Sequence, residues 1–325
     1  MLIDSFGRKL TYLRMAITDR CNLRCHYCMP MQGLEWLPRQ EMLSYEEMLR
    51  LCHIFSDLGI EKIRFTGGEP TLRKDFEKLV RQVHEGALFK SMHLTTNGSG
   101  RFWKQEELSL IWDTVNVSLD SLDPGNFLKI TGRDEWHSVM ATIRKLLSNH
   151  IPVRVNVVVM HGQNDHEILD FVKWAFDAPI DIRFIEEMPF NGAQGASKLI
   201  WNSQAILEHI QQRYTLRPVK MIEAGETASY YTGETMKGRI GIIAAYTRSF
   251  CGSCNRLRIT PQGVLRTCLY SDQGLQLRDA LRAGLSDEDI QQSIRLAISK
   301  KERNGFEAEA MRTTAVSESM AAIGG

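Results

Sequence analysis

Nowhere in the 325 residues does an apolar run approach the ~20 positions needed to cross a bilayer. The opening segment, Met1 to Lys9, has no apolar core of a secretory signal. The expected location is therefore the cytoplasm, with no membrane partner. Net charge is equally scarce, because 40 Lys and Arg against 39 Asp and Glu leave +1 with His neutral. That excludes the global basic field of a nucleic-acid binder, so any anion must meet a local cluster. Internal repeats and low-complexity tracts are also missing. A composition of 43% hydrophobic and 24% charged residues is that of a globular enzyme. In a reducing compartment the seven cysteines do not read as a disulfide framework; they are metal ligands or core residues.

Six segments rich in β-branched and apolar residues read as strands: Tyr12–Thr18, Lys62–Thr66, Met92–Thr95, Thr114–Leu119, Val153–Val159 and Asp181–Ile185. Helical patterns alternate with them. The clearest is Tyr45–Leu58, with Met48, Leu51, Cys52, Phe55 and Leu58 at helical spacing, a Ser44/Glu47 capping box and a stop at Gly59. Alternation of this kind predicts an α/β fold with a parallel sheet of right-handed βαβ units. Periodicity does not say whether that sheet is open or curled. After Pro189 a loop (Asn191 to Gly195), a helix near Ser203–Arg213 and strands at Arg239–Ala245 and Arg256–Thr260 are expected. The division predicted is 1–190 for the first domain and 191–325 for a smaller second one.

Cys21, Cys25 and Cys28 place three thiols in eight residues, directly after the first strand. A four-iron cubane takes four thiolates, so three leave one iron open for chemistry. Zinc, with His26 as fourth ligand, is the alternative. Thr66-Gly67-Gly68-Glu69-Pro70 ends the second strand, where paired glycines admit close backbone approach. Cys251, Cys254 and Cys268 form a second set of three, read as a second cubane or, again, a zinc site. Cys52 is left over and belongs to the core. Arg256 and Arg258 share one strand face. Arg14, Arg64, Arg154 and Arg183 also sit on strands between apolar neighbours. Glu69, Asp120 or Glu186 are candidate partners for some of these. Six together point to a polyanion, since guanidinium matches phosphate geometry.

The C-x-x-x-C-x-x-C stretch is similar to the radical S-adenosylmethionine (SAM) signature, which implies a partial (β/α)6 barrel with the cluster at its mouth. The chain as a whole resembles the MoaA family, the GTP 3′,8-cyclases of molybdenum cofactor biosynthesis. The matching stretches are Leu13 to Pro30, Lys62 to Pro70, Thr95 to Gly98, Asn116 to Leu122, Arg183 to Met188, Cys251 to Thr260 with Cys268, and Ile323-Gly324-Gly325. The resemblance implies two 4Fe-4S clusters on the two cysteine triads, and S-adenosylmethionine bound by Tyr27, Gly68, Ser118 and Met188. It implies GTP bound by Arg14, Arg64, Thr95, Arg154, Arg183, Arg256, Leu257 and Arg258, with Arg14, Arg256 and Arg258 the catalytic set. It further implies a one-electron donor protein, a downstream cyclic pyranopterin monophosphate synthase, and a Gly-Gly tail entering the active site; a homodimer is left open. The family usually has lysine where Arg154 stands. A peptide-modifying radical enzyme, or a non-catalytic zinc or electron-carrier protein, are the competing readings.

Overall fold

The computed structural model describes residues 1–29, 36–100, 102–104, 111–188, 199–220, 225–313 and 319–323. A short hairpin of β1 (Leu2–Ile3) and β2 (Lys9–Leu10) leads into β3 (Tyr12–Ala16), β4 (Lys62–Thr66), β5 (Ser91–Thr96), β6 (Thr114–Ser118), β7 (Val153–Val159) and β8 (Asp181–Glu186). These six match the expected strands to within a residue or two. Later come β9 (Arg217–Pro218), β10 (Ala228–Thr232), β11 (Arg239–Ile243), β12 (Arg256–Ile259), β13 (Val264–Arg266) and β14 (Leu275–Gln276).

The parallel sheet is wider than six. Its order is β14-β13-β12-β3-β4-β5-β6-β7-β8-β11-β10-β9, and every pair from β12 through β3 to β8 and on to β11 is parallel. Two strands from beyond residue 190 thus flank the six as direct neighbours. The expected boundary at 190–191 itself lies outside the described residues.

The strands alternate. On β3, β4 and β7 the apolar members (Leu13, Met15, Ile63, Phe65, Val155) are 2% exposed or less and belong to one large core. Their period-2 partners (Tyr12, Arg14, Lys62, Arg64, Arg154, Asn156) face a cavity on the other side. Helices cover the apolar side. α1 (Tyr45–Asp57) carries the predicted capping box: Ser44 accepts from Glu47 N, and Glu47 accepts from Ser44 N. It buries Met48, Leu51, Cys52 and Phe55, so Cys52 is a core residue. Gly59 ends that segment at φ +90°, a conformation glycine tolerates. α2 (Phe76–Glu85), α3 (Pro124–Thr131), α4 (Trp136–Ser148), α5 (Ile168–Asp177) and α6 (Ser203–Gln211) follow, then α7 (Leu277–Arg282), α8 (Asp287–Ser299), α9 (Gly305–Ala310) and α10 (Met320–Ile323). Among the described residues, no helix is long and apolar enough to cross a membrane.

Candidate functional site

One cavity of about 350 Å³ collects side chains from β3 to β8 and β10 to β12, together with the loops at the strand ends. A curled sheet does this, because the polar face of every strand then turns toward a common axis. Side chains at the C-terminal strand ends are the positions that parallel barrels use for chemistry.

The first cysteine triad follows β3 there, and Cys21, Cys25 and Cys28 all line the cavity. Burial pushes the Cys21 thiol up to about 12 and the Cys28 thiol up to about 11. Burial, reinforced by Asp120, raises Cys25 well above the usual thiol range. Three thiols in so apolar a place ionise only if a cation joins them, which is what iron supplies. Asn97 Nδ2 points at Cys21 Sγ from 3.7 Å and donates to Asn22 Oδ1 at 2.9 Å. Asn97 N is held by Glu69 Oε2 at 2.6 Å. On the far side, Ser319 Oγ donates to Cys28 O at 2.6 Å, tying the C-terminal segment to the triad loop.

Of the positions matched to S-adenosylmethionine contacts, Tyr27, Gly68, Ser118 and Met188 all line the cavity. Tyr27 OH donates to Asp120 Oδ2 at 2.7 Å, and Val158 N to Asp120 Oδ1 at 2.9 Å. Burial raises the Asp120 carboxyl to about 6. The paired glycines also make a close backbone contact within the chain. Gly67 stands at φ +145°, and a Cβ on Gly68 would fall 2.6 Å from Arg20 C and Asp19 O. Their close approach is to the backbone just ahead of Cys21, to which Gly68 N is bonded through Thr18 O at 2.7 Å.

Below this ring the cavity is cationic. Arg14, Lys62, Arg64, Arg154, Arg183, Arg256 and Arg258 line it. Register puts Arg258, Arg14 and Arg64 on one rung of three adjacent strands. Burial and the cations Arg258 and Arg256 lower Arg14 to about 9, still charged at neutral pH. Burial likewise lowers Arg64 and Arg258 to about 10. Arg64, 2% exposed, donates to Tyr12 OH at 2.6 Å and Leu94 O at 2.8 Å, with Thr95 Oγ1 at 3.5 Å. Arg183 donates twice to Asn156 Oδ1, at 2.9 and 2.6 Å. Arg256 reaches Gly225 O at 2.7 Å. Arg154 stands 3.7 Å from both Asp181 and Glu226.

Two expectations are corrected here. Among the described residues, Glu69, Asp120 and Glu186 form no ion pair with the arginines. Glu69 accepts from Thr71, Thr96 and Asn97, Asp120 from Tyr27 and Val158, and Glu186 from Ser203, Tyr246 and Thr247. Each is occupied with fixing a loop. Leu257 does not face the cavity either. It is fully buried in the core, on the face of β12 opposite Arg256 and Arg258.

The second triad, Cys251, Cys254 and Cys268, lines the same cavity. Cys254 precedes β12 and Cys21 follows β3; since these strands are parallel, the two thiols stand at opposite strand ends. Gly305 N donates to Cys251 Sγ at 3.4 Å, and Arg8 reaches Cys251 O at 3.1 Å. Lys301, 3% exposed, donates to Thr267 O beside Cys268. Burial raises the Cys254 thiol, but Lys301, Arg256 and Arg258 together outweigh it and leave it below the usual range. Among the described residues, no three Cys, His, Asp or Glu converge on a single-ion position.

Tyr12, Lys62, Asn116, Asn156 and Glu226 join the site without having been picked out from sequence. Four of the five lay within reach of a simple rule, being two residues from a residue already picked out on the same strand: Arg14, Arg64, Ser118 and Arg154 respectively. Asn116 Oδ1 is buried without a hydrogen-bond partner among the described residues, an acceptor suited to a ligand hydroxyl or amine. Gly324 and Gly325 lie outside the described residues.

Residues 15–175 match the Radical SAM superfamily, and residues 180–307 match Molybdenum Cofactor Synthesis C. The chain is 41% identical over 308 residues to the GTP 3′,8-cyclase of Syntrophomonas wolfei, covering 92% of this chain and 93% of that protein. It is 40% identical over 305 residues to the mitochondrial GTP 3′,8-cyclase of Arabidopsis thaliana, covering 93% and 78%. Molybdenum cofactor biosynthesis protein 1 of Mus musculus is 40% identical over 306 residues, but the chain spans only 48% of its length. Among solved structures, SuiB of Streptococcus suis aligns with a TM-score of 0.62 at 13% identity, over 94% of this chain and 69% of that one. SuiB bound to S-adenosylmethionine aligns with a TM-score of 0.59 at 15% identity, over 89% and 68%. At such identity these two establish the fold.

Proposed function

The chain belongs to the GTP 3′,8-cyclase family of the radical SAM superfamily, and from that premise we propose that it cyclises GTP to 3′,8-cyclo-7,8-dihydro-GTP, an early step of molybdenum cofactor biosynthesis. The observation that carries the reading is a single cavity lined by two cysteine triads and seven cationic side chains. Few small substrates other than a nucleoside triphosphate call for that much positive charge beside a radical centre.

Superfamily membership brings a 4Fe-4S cluster and S-adenosylmethionine. Cys21, Cys25 and Cys28 would hold the cluster and leave one iron without a protein ligand. When bound, the cluster supplies the electron that cleaves S-adenosylmethionine. Around it, Asn97 orients the Cys21 thiolate, Gly68 keeps the triad loop against the sheet, and Tyr27, fixed by Asp120, closes one wall with Ser118 and Met188. We assign Cys251, Cys254 and Cys268 to a second cubane, whose negative charge Lys301 offsets.

Arg14, Arg64, Arg183, Arg256 and Arg258 are assigned to the triphosphate and ribose, with Thr95, Asn116 and Asn156 as neutral partners. Arg154, shared with Asp181 and Glu226, fills the lysine position of the family. On the substrate the C3′–H bond would break, its hydrogen atom leaving as the new hydrogen of 5′-deoxyadenosine, and a C3′–C8 bond would form; one electron and one proton from the reductant and solvent then complete the dihydropurine. A one-electron donor protein and a downstream cyclic pyranopterin monophosphate synthase are the implied partners. The test is anaerobic incubation with GTP, S-adenosylmethionine and dithionite, with mass analysis of both products. Formation of 5′-deoxyadenosine with no GTP-derived product would reject the substrate and keep the superfamily.

A further inference from the structure

Tyr12 sits at the first inward position of β3 and lines the cavity on the same rung as Arg256 and Lys62. Its hydroxyl accepts from Arg64 Nε at 2.6 Å. Lys62 Nζ and the Arg256 guanidinium lie over its ring, 5.3 and 5.5 Å from the centroid. Every element around it presents a cation: Arg14 on its own strand, Lys62 and Arg64 on β4, Arg256 on β12, and Arg183 on β8. Arg258 on β12 is felt as well.

Charges packed this closely repel unless an anion sits among them. Guanidinium groups keep their protons throughout the physiological range, so relief must come from another group. Asp181 and Glu226 face Arg154, and for the cations around β3 the phenol is that group: although burial opposes its ionisation, Arg64, Arg14, Arg256 and Lys62 together lower it from 10.0 to about 6.

We propose that Tyr12 is the resident counter-anion of the cavity: its phenolate holds the surrounding cations in place before substrate arrives, and takes up a proton from solvent when a triphosphate assumes that role. This rests on the triphosphate-binding reading above. It makes Tyr12 a positioning residue, and it couples substrate binding to proton uptake. The coupling follows from linkage, because a bound polyanion cancels the field that had lowered the phenol.

The test is isothermal titration calorimetry of the anaerobic holoenzyme in buffers of different ionisation enthalpy. The pH is about 8, above the lowered phenol and below its free value of about 10. GTP and inorganic triphosphate are titrated separately into wild type and Tyr12→Phe. Wild type should take up about one proton more per ligand than the variant; the difference between the two proteins cancels the ligands' own titration. Equal proton uptake in both proteins overturns the proposal, as does failure of inorganic triphosphate to bind wild type. Failure of GTP alone, with inorganic triphosphate binding and the proton taken up, counts against GTP as substrate and leaves Tyr12's role standing. Should Tyr12→Phe not fold or not hold iron, the wild-type near-ultraviolet difference spectrum decides. Loss of a tyrosinate band on adding inorganic triphosphate, which is transparent there, supports the proposal; an unchanged spectrum refutes it.

Discussion

Gly68 and Gly252 look alike in sequence, each a glycine inside a motif assigned to the site, yet substitution by alanine should treat them very differently. A Cβ on Gly68 would fall 2.6 Å from Arg20 C and Asp19 O, and closer still to Arg20 O. Carbon contacts relax only at about 3.5 Å, so one backbone must withdraw by roughly 1 Å. Neither has a flexible tip to give way. One is pinned at the end of β4, and the other is the chain entering the first cysteine triad. Overpacking of this kind costs about 1–3 kcal/mol, which lowers the melting midpoint of a chain this size by roughly 1.5–4.5 °C. A Cβ on Gly252 meets nothing within 4 Å, so Gly252→Ala should melt like wild type. Anaerobic thermal unfolding by circular dichroism measures both. Iron content and S-adenosylmethionine affinity should fall for Gly68→Ala as the triad loop shifts, and stay level for Gly252→Ala. If Gly68→Ala kept its midpoint and its S-adenosylmethionine affinity, the idea that this turn seats the triad through backbone contact would fail.

Replacing Cys21, Cys25 and Cys28 by alanine should halve the iron and abolish reductive cleavage of S-adenosylmethionine; replacing Cys251, Cys254 and Cys268 should also halve the iron but leave some cleavage. Full iron and sulfide in either triple variant would refute two separate clusters. The Arg256→Ala/Arg258→Ala variant should assemble both clusters yet lose about 1.5–3 kcal/mol per phosphate contact, read as weaker GTP binding or suppressed cyclisation; unchanged turnover would remove these residues from the site. His93 is 4% exposed, and burial with Arg64, Lys62 and Arg154 lowers it from 6.5 to about 2. Its folded form therefore stays neutral while the unfolded chain binds a proton below 6.5, so stability is complete above that value and falls as the solution is acidified. Between pH 6.5 and about 5 the loss is roughly 2 kcal/mol, and His93→Gln should remove that slope from urea-unfolding midpoints measured across the range.

Strand positions were legible because each carries a run of β-branched and apolar residues framed by turns, and α1 because Ser44, Glu47 and Gly59 mark both its ends. Both cysteine triads were legible from spacing alone. What periodicity did not disclose was closure. Lys62-Ile63-Arg64-Phe65-Thr66 would read the same in an open sheet with a wet face, and only the return of β11 and β12 to flank β8 and β3 turns that face inward. Those pairings join residues more than 200 apart in the case of Arg258 and Arg14, which no local pattern encodes. The partners of Glu69, Asp120 and Glu186 were misread for a related reason. A carboxylate near an arginine in sequence terms is equally able to hold backbone N–H groups of a loop, and at strand ends the loops have the prior need.

The interior of a parallel barrel is ordinarily filled by layers of branched apolar side chains. Here many of the matching inward positions hold Tyr12, Arg14, Lys62, Arg64, Arg154 and Arg183, with Val158, Ile185 and Ile243 among the apolar exceptions, and the large apolar core lies outside, between sheet and helices. Such an interior cannot contribute much to folding, because buried cations must be compensated before any gain appears. The outer core therefore stabilises the fold, while Arg64, Arg183 and Arg256 meet a phenol, an asparagine and carbonyl groups, and Arg154 stands between two carboxylates. Weak internal partners are what a binding site needs. A polyanion that enters exchanges the neutral contacts of Arg183 and Arg256 for charge-assisted ones, so its binding energy goes into holding the substrate between the two triads.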